Sequence, residues 1–283
     1  MNYILFNPKA NNNSGEISAE AAKEKLKARF GEMELVSLID LDVEKFLKNV
    51  QKDDNLVLIG GDGTLNNFAN KIQDVNIPCN LYMYSAGTGN DFLRDIESEV
   101  DSDGLALIND YVKHLPYVIV NEKKYYFING VGFGIDGQVC EVADEKKRKG
   151  AKKISYSGIC ISLALFKYKF PNGKVIVDGV EMPRNKIWLA SSMNGRFYGG
   201  GLMIAPEQNR KENTLTMTCV HGSTRVHGLM VFVSAFKGEH VKHKKMVDIV
   251  KAHRIEVTFD RPTALQIDGE TILGVTHYVA VKE

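Results

Sequence analysis

Gly60-Gly61-Asp62-Gly63-Thr64 follows the apolar run Leu56-Val57-Leu58-Ile59 and precedes Leu65, Phe68, Ala69 and Ile72. The run is short enough to be a buried strand, and the four apolar residues after the glycines keep the spacing of a helix's buried stripe. A strand that turns through glycines into a helix start converges backbone N–H groups on one point, where the helix dipole adds positive potential. Glycines also let a phosphate approach the backbone closely. This is not a Walker A loop, because no Lys stands in the G-x-x-x-x-G-K-[ST] spacing. Asp62 is the residue out of place: a carboxylate in a phosphate cradle repels phosphate unless a cation lies between them. The stretch therefore points to a metal nucleotide, with Asp62 reaching Mg2+ directly or through water. The competing reading is a tight Gly-Asp-Gly turn with no chemistry.

A second loop weighs against that reading. Leu81-Tyr82-Met83-Tyr84 reads as a strand, and Gly87-Thr88-Gly89-Asn90-Asp91-Phe92 follows it. Upstream, Tyr3 to Phe6 is a strand ending at Asn7-Pro8, and Asn11 to Gly15 is polar and turn-forming. A helix is expected from Ser18, as N-cap, to Phe30, with Gly31 as its stop. Leu35 to Ile39 reads as a strand, and Val43 to Val50 as a helix that buries Phe46, Leu47 and Val50. Alternating β and α units imply a parallel sheet with helices on both faces. The first loop then opens on the same sheet edge as the two glycine loops, where open α/β sheets bind their ligands.

From about Leu115 the texture changes to short strands: Tyr117 to Val120, Tyr125 to Asn129, Lys174 to Val177, Ile187 to Ser191, Leu215 to Val220, Ile255 to Phe259 and Ala264 to Ile267. Turn pairs such as Asn121-Glu122 and Asp178-Gly179 separate several of them. One helix is expected across Ile154 to Tyr168. The reading is an α/β domain over residues 1–118 and a mostly antiparallel β domain over 119–283.

Composition sets outer bounds. The hydrophobic fraction of 44% and charged fraction of 25% are those of a soluble globular protein. A net charge of +1 gives no global case for nucleic acid. No apolar run approaches the ~20 residues of a membrane span, and the first residues lack the basic flank of a signal peptide. Cys79, Cys140, Cys160 and Cys219 are scattered and read as reduced thiols in a cytosolic protein.

Gly132-Phe133-Gly134-Ile135-Asp136-Gly137 matches G-x-G-x-x-G. A dinucleotide fingerprint needs an acid roughly 20 positions on, at a strand end. Lys152-Lys153-Ile154-Ser155-Tyr156 offers no acid and no strand–helix context, so the fingerprint is rejected. Lys146-Lys147-Arg148-Lys149, with Lys152 and Lys153, is the densest basic run, and Lys242-His243-Lys244-Lys245 is a second. Each reads as a solvated face or as an aid to docking on an anionic bilayer. His240 and His243 are read as surface residues rather than as a metal pair.

GGDGTLNN over residues 60–67, together with GTGNDF over 87–92, resembles the diacylglycerol kinase catalytic domain of bacterial lipid kinases, relatives of sphingosine kinases and NAD kinases. The resemblance runs from Asn7-Pro8 to Asp268-Gly269-Glu270 and implies a Rossmann-like three-layer nucleotide-binding domain, then a β-sandwich domain, with the active site in the cleft between them. It implies Mg-ATP, with nucleotide contacts from Asn7, Pro8, Gly15, Gly60, Gly61, Asp62, Gly63, Thr64, Asn66, Gly87, Thr88 and Asn90, and with Asp91 and Arg94 shaping the second loop. Asp62 is the expected magnesium contact. Glu270 is the implied proton acceptor for the substrate hydroxyl, with Asp268 orienting it or the metal's waters.

Asn194-Gly195 through Gly199-Gly200-Gly201, followed by Ala205-Pro206, resembles another family segment. Departures are the Asn-rich first loop, Ser85-Ala86 where a Pro is common, and the metal loop at 209–215, where Glu212 stands for Asp and Asn213 for Gly. Glu212 is thus a metal ligand by position and a loop acid by chemistry. Gly238-Glu239-His240, with Asp268-Gly269-Glu270, favours lipid kinase over NAD kinase; the remaining alternative is a nucleotide-binding protein with little kinase activity. The expected partners are a lipid substrate such as diacylglycerol, a transient anionic membrane surface and a second copy in a homodimer, without nucleic acid. The expected location is cytoplasmic, peripheral at the inner face of the membrane.

Overall fold

The computed structural model describes residues 1–85, 90–151 and 153–283, and their side chains apart from those of residues 11 and 12. The chain divides into two units, Met1–Leu115 and Pro116–Glu283. The division falls three residues ahead of the boundary expected from the change of texture.

In chain order the first unit carries β1 (Asn2–Phe6), α1 (Ala10–Asn13), α2 (Gly15–Phe30), β2 (Glu34–Ser37), α3 (Val43–Asn49), β3 (Asn55–Gly60), α4 (Asp62–Lys71), β4 (Asn80–Ser85), α5 (Asp91–Asp95), β5 (Leu105–Leu107) and α6 (Asn109–Val112). The sheet order is β2-β1-β3-β4-β5. The first four strands are parallel, and β5 closes the edge antiparallel to β4. The run Leu56 to Ile59 is buried throughout, as a central strand covered on both faces requires. Ala19, Ala22 and Leu26 of α2 pack over Ile4, Val57 and Ile59.

Helix α2 starts three residues before the expected cap. The Asn-rich stretch is itself a helical turn that runs into α2, so Ser18 lies inside the helix and its hydroxyl donates to the Ser14 carbonyl (3.0 Å). The stop at Gly31 is where it was expected, with φ +69°. Asp42 caps α3 by accepting the Lys45 amide (3.0 Å), and the preceding strand ends at Ser37, short of the expected Ile39.

The second unit carries β6 (Tyr117–Val120), β7 (Lys123–Tyr126), β8 (Gly130–Gly134), α7 (Ile135–Arg148), α8 (Tyr156–Ser162) with a π turn over Leu163–Lys167, β9 (Gly173–Val177), β10 (Val180–Arg184), β11 (Leu189–Met193), β12 (Phe197–Tyr198), β13 (Leu202–Met203), β14 (Leu215–Val220), α9 (Arg225–Ala235), β15 (Val247–Ala252), β16 (Arg254–Ile267) and β17 (Glu270–Val281). The main sheet is ten-stranded, in the order β15-β14-β11-β8-β16-β17-β6-β7, with β9 and β10 joined to it through β16. Its pairings are antiparallel.

Strand β16 makes the sandwich. Its first half pairs with β9 and its last residues with β8, and the register against β17 shifts between Thr258 and Thr263. The irregularity re-aims the strand, so Phe259 from its first half stacks on Phe133 of β8, with centroids 3.9 Å apart and planes at 6°. The core of this unit lies around that pair.

Two helices escape the sequence reading. Glycines at 132, 134 and 137 disguise the start of α7, and α9 is apolar all round, which hides its buried stripe at Gly228, Val231 and Ala235. The helix expected across Ile154 to Tyr168 is the shorter α8, capped by Ser155 through the Gly158 amide (3.1 Å), and its π turn. The segment at 132–137 therefore does lie on a strand-to-helix turn, but of an antiparallel sheet.

Candidate functional site

The strand order 2-1-3-4-5 reverses its winding between β1 and β3. In doubly wound sheets the ligand crevice opens there, beyond the carboxyl ends of those strands. Phe6 is level with Ile59, and Gly60 with Ser85, so the loops after β1, β3 and β4 leave one sheet edge together. The Asn7 carbonyl accepts the Ala10 amide (2.9 Å), its side chain accepts the Lys9 amide (3.0 Å), and the Pro8 carbonyl accepts the Gly15 amide (3.3 Å). A Cβ at Gly15 would stand 1.9 Å from the Asn7 carbonyl oxygen, so only glycine lets α2 begin against the end of β1.

Gly61 precedes the ten-residue helix α4, and the space around the Gly63 Cα is open. A phosphate could therefore approach the start of α4 at Gly63, while the Thr64 and Leu65 amides donate to the Gly61 carbonyl (3.0 and 3.1 Å). Thr64 is buried under Gly60. Asn66 is engaged along α4, accepting the Asn70 side-chain amide at its carbonyl (2.9 Å) and at its side-chain oxygen (3.2 Å).

Asp62 does something the sequence reading did not foresee. One carboxylate oxygen accepts the Asp91 amide (2.8 Å) and the other accepts the Phe92 amide (2.9 Å). Asn90 accepts the Leu93 amide at its side-chain oxygen (2.8 Å). The start of α5 is thus capped from both loops, and Asp62 ties the loop after β3 to the chain after β4. Asp62 and Asn90 thus hold the start of α5, and the expected part of Asp91 and Arg94 in shaping the glycine loop before it falls on residues outside those described. Gly87 and Thr88 lie outside the described residues.

The donor set fits a nucleotide-borne magnesium better than a protein cage. Among the described residues no group of three or more His, Cys, Asp or Glu could hold a metal. Mg2+ ordinarily uses one or two carboxylates, substrate phosphates and several waters.

In the second unit Asp268 and Gly269 form the two-residue turn between β16 and β17, with φ +46° and +93° and Ile267 paired to Glu270. The Asp268 carboxylate accepts three backbone amides, from Ile128 (2.6 Å), Asn129 (2.8 Å) and Gly130 (2.9 Å). That clamps the turn onto the start of β8. Glu270 is exposed.

Glu212, at the family's metal position, pairs with Lys251 (2.5 Å), as a loop acid does. The cation in this region belongs to the chain. Lys282 is buried, and its ammonium donates to the Asn194 side-chain oxygen and the Arg210 carbonyl (both 2.8 Å). Burial pulls its pKa down to about 8. Arg210 in turn donates to the Ile128 carbonyl (2.6 Å) and the Asn129 side chain (2.5 Å).

Asp136 was not singled out by sequence. It starts α7, and a Cβ on Gly132 would stand 1.7 Å from its Oδ2, so the glycine makes room for the carboxylate. The residue keeps some exposure, but Oδ1 is shut from solvent without a hydrogen-bond partner among the described residues. The Tyr198 hydroxyl donates to Oδ2 (2.8 Å). Burial pushes the carboxyl up to about 6. An enclosed, half-satisfied carboxylate with a raised pKa is a candidate site group. The sequence signal, an acid amid Phe133, Ile135 and Val139, is faint.

The folded pKa of Asp136 lies above its unfolded value, so its protonated form favours folding. That contribution is complete below about pH 4 and is lost as pH rises through about 6. Asp136→Asn keeps an acceptor for Tyr198 and removes the charge. The variant is expected to be more stable than wild type by about 1–3 kcal/mol at pH 7.5. The gap should close on acidification to pH 4, as read by urea unfolding across that range; equal stabilities at pH 7.5 would remove the charge cost.

His240 is buried, not at the surface as expected, and shares a 3.0 Å hydrogen bond with the Ile204 carbonyl. Burial lowers its pKa, so it sits there as the neutral imidazole.

An open α/β sheet with a glycine turn beside its switch point is a frame on which many proteins bind nucleotides. Residues 2–116 match the diacylglycerol kinase catalytic domain, and residues 129–282 match the YegS C-terminal NAD kinase beta sandwich-like domain. The chain belongs to this diacylglycerol kinase family. It is 25% identical over 195 residues to "Diacylglycerol kinase" of Mycobacterium tuberculosis, with 67% of this chain matched. The match spans 62% of that relative's length. It is 24% identical over 310 residues to "Putative lipid kinase YtlR" of Bacillus subtilis, covering 98% of this chain and 94% of the relative. A crystal structure titled as a putative diacylglycerol kinase from Bacillus anthracis superposes with a TM-score of 0.71 at 20% identity, over 99% of this chain and 92% of the other, which shows the shared fold.

Proposed function

We propose that this chain is an ATP-dependent lipid kinase that phosphorylates the hydroxyl of a lipid such as diacylglycerol. The observation that carries the reading is the glycine turn after β3, beside the sheet's switch point, tied by the Asp62 carboxylate to the start of α5. The names of the relatives support the lipid as acceptor.

In this reading the α4 amides hold the phosphates, and Asn7 to Gly15 lie against the nucleotide. Asp62 ties the two segments together and would hold Mg2+ directly or through a water. When bound, Mg2+ neutralises charge developing on the phosphates. The lipid hydroxyl oxygen forms a bond to the γ-phosphorus, the bond from that phosphorus to the β–γ bridging oxygen breaks, and ADP leaves. Glu270 takes the hydroxyl proton. Asp268 positions the turn that carries Glu270.

The test is purified protein with γ-labelled ATP, Mg2+ and a panel of lipids plus NAD. Label is expected in a lipid with a free hydroxyl, diacylglycerol first. Label in NAD would make the chain a NAD kinase. Nucleotide binding with no transfer to any acceptor would leave a binding protein, the reading that the Glu212–Lys251 ion pair favours. No helix among the described residues is long and apolar enough to cross a membrane, so the enzyme would meet its lipid at the membrane surface.

A further inference from the structure

Helices α7, α8 with its π turn, and α9 form one layer. Their buried faces, among them Val139, Ile159, Leu163 and Val231, pack with Trp188. Gly228 lets α9 sit directly on that indole, since a Cβ there would stand 2.2 Å from the ring. Arg225 pins α9 to the π turn by donating to the carbonyls of Ala164 (2.7 Å) and Tyr168 (2.9 Å).

The outward side of the layer is apolar as well. Phe166 on the π turn is 77% exposed, and Val226, Met230 and Val233 on α9 are 65%, 56% and 58% exposed. The three α9 residues fall at i, i+4 and i+7, on one helix face. Ile161 and Phe236 are exposed too. A helix apolar all round is ordinarily buried on every side, and α9, which carries no acid, is not.

The flanks of this layer are cationic. Residues 146–169 hold eight Lys or Arg and no acid, and residues 225–245 hold five against the single acid Glu239. Lys147 reaches over the Tyr156 ring (5.9 Å), which joins the basic end of α7 to the start of α8. Part of this charge is answered within the chain, since Lys147 pairs with Asp144 (3.0 Å), Lys149 with Glu145 and Lys242 with Glu239 (2.6 Å).

We infer that the outward face of α8, the π turn and α9 is a docking surface for an anionic lipid bilayer. The inference rests on the lipid-kinase reading for its purpose but not for its evidence. Apolar side chains set among cations match the layering of a bilayer interface, where acyl chains lie beneath anionic headgroups. A second copy is a poorer fit. A two-fold interface places the same patch against itself, which would bring two sets of lysines together with few acids to answer them.

Three full-length proteins test this: wild type, the triple variant Phe166→Ser, Met230→Ser, Val233→Ser, and the variant with Gln at 146–149. All three substitutions of the triple variant are at exposed positions, so its unfolding midpoint should stay at the wild-type value. Sedimentation with phosphatidylglycerol–phosphatidylcholine vesicles is expected to show a fall of at least about tenfold in partitioning for the triple variant at any salt. The Gln variant should lose binding at low salt, with the loss shrinking at high salt.

Wild-type and triple-variant binding that agree would overturn the docking surface. So would equal wild-type binding to pure phosphatidylcholine, or a wild-type dimer that the triple substitution splits while vesicles bind neither form. A short-chain diacylglycerol kept below its micelle concentration separates the two proposals. Phosphorylation of it by wild type and triple variant alike, with vesicle binding lost only in the variant, supports both. Vesicle binding without phosphorylation sinks the kinase reading and leaves the surface standing.

Discussion

Glu270→Gln is expected to lower the turnover number by about 10²–10⁴-fold, the usual range for losing a general base, while ATP affinity stays near wild type. The substitution keeps the shape of the side chain and removes only its capacity to take a proton. Glu270 is exposed beside a tight turn, so replacing it leaves the turn itself unharmed. Asp268 is the control. Its two oxygens take three backbone amides, and Asp268→Asn would set an NH2 against donors and leave buried groups unsatisfied. That variant should lose about 2–4 kcal/mol of stability, since hydrogen bonds to charged groups contribute about 1.5–3 kcal/mol each. Rapid-quench assays of transfer to lipid, with ATP affinity measured separately, read the first variant. A turnover number unchanged in Glu270→Gln moves the base to Asp268.

Asp62→Ala is expected to reduce turnover at least about 100-fold and to cost about 1–3 kcal/mol of stability, because two charge-assisted hydrogen bonds disappear. From sequence alone the same substitution would leave the fold untouched, position 62 being in a turn. The structure changes that expectation, because both oxygens cap α5 across a separation of 29 and 30 residues. Amide exchange at Asp91 and Phe92 gives a readout apart from catalysis and should quicken markedly in the variant. Wild-type exchange with lost turnover would leave Asp62 as a metal contact alone. Wild-type turnover would end both assignments.

The architecture was legible where the pattern is local. Leu56 to Ile59 before the glycines, and the apolar spacing after them, define a strand, turn and helix within some twenty residues, and β3 and α4 are found there. The turn at Asp268-Gly269 was equally plain, since few pairs adopt two positive φ angles in succession. Motif resemblance added the family and the names of the site residues. It also carried positions over, and at Glu212, where the residue type departs from the family, the structure shows an ion pair with Lys251 of β15.

What the sequence by itself determined is the α/β-then-β order, the glycine loops and their common sheet edge, because these follow from periodicity and from turn chemistry over short spans. Only the tertiary structure decided what the polar side chains at those loops do. Asp62 caps a helix 29 residues on, Asp268 holds amides 138 to 140 residues back, and Lys282 holds an asparagine 88 residues away. Helix α9 was hidden for a related reason: a helix apolar on every side shows no stripe, so which face is buried depends on what packs against it. A carboxylate or an ammonium takes whichever donor or acceptor the folded chain delivers, and no local spacing records which that will be.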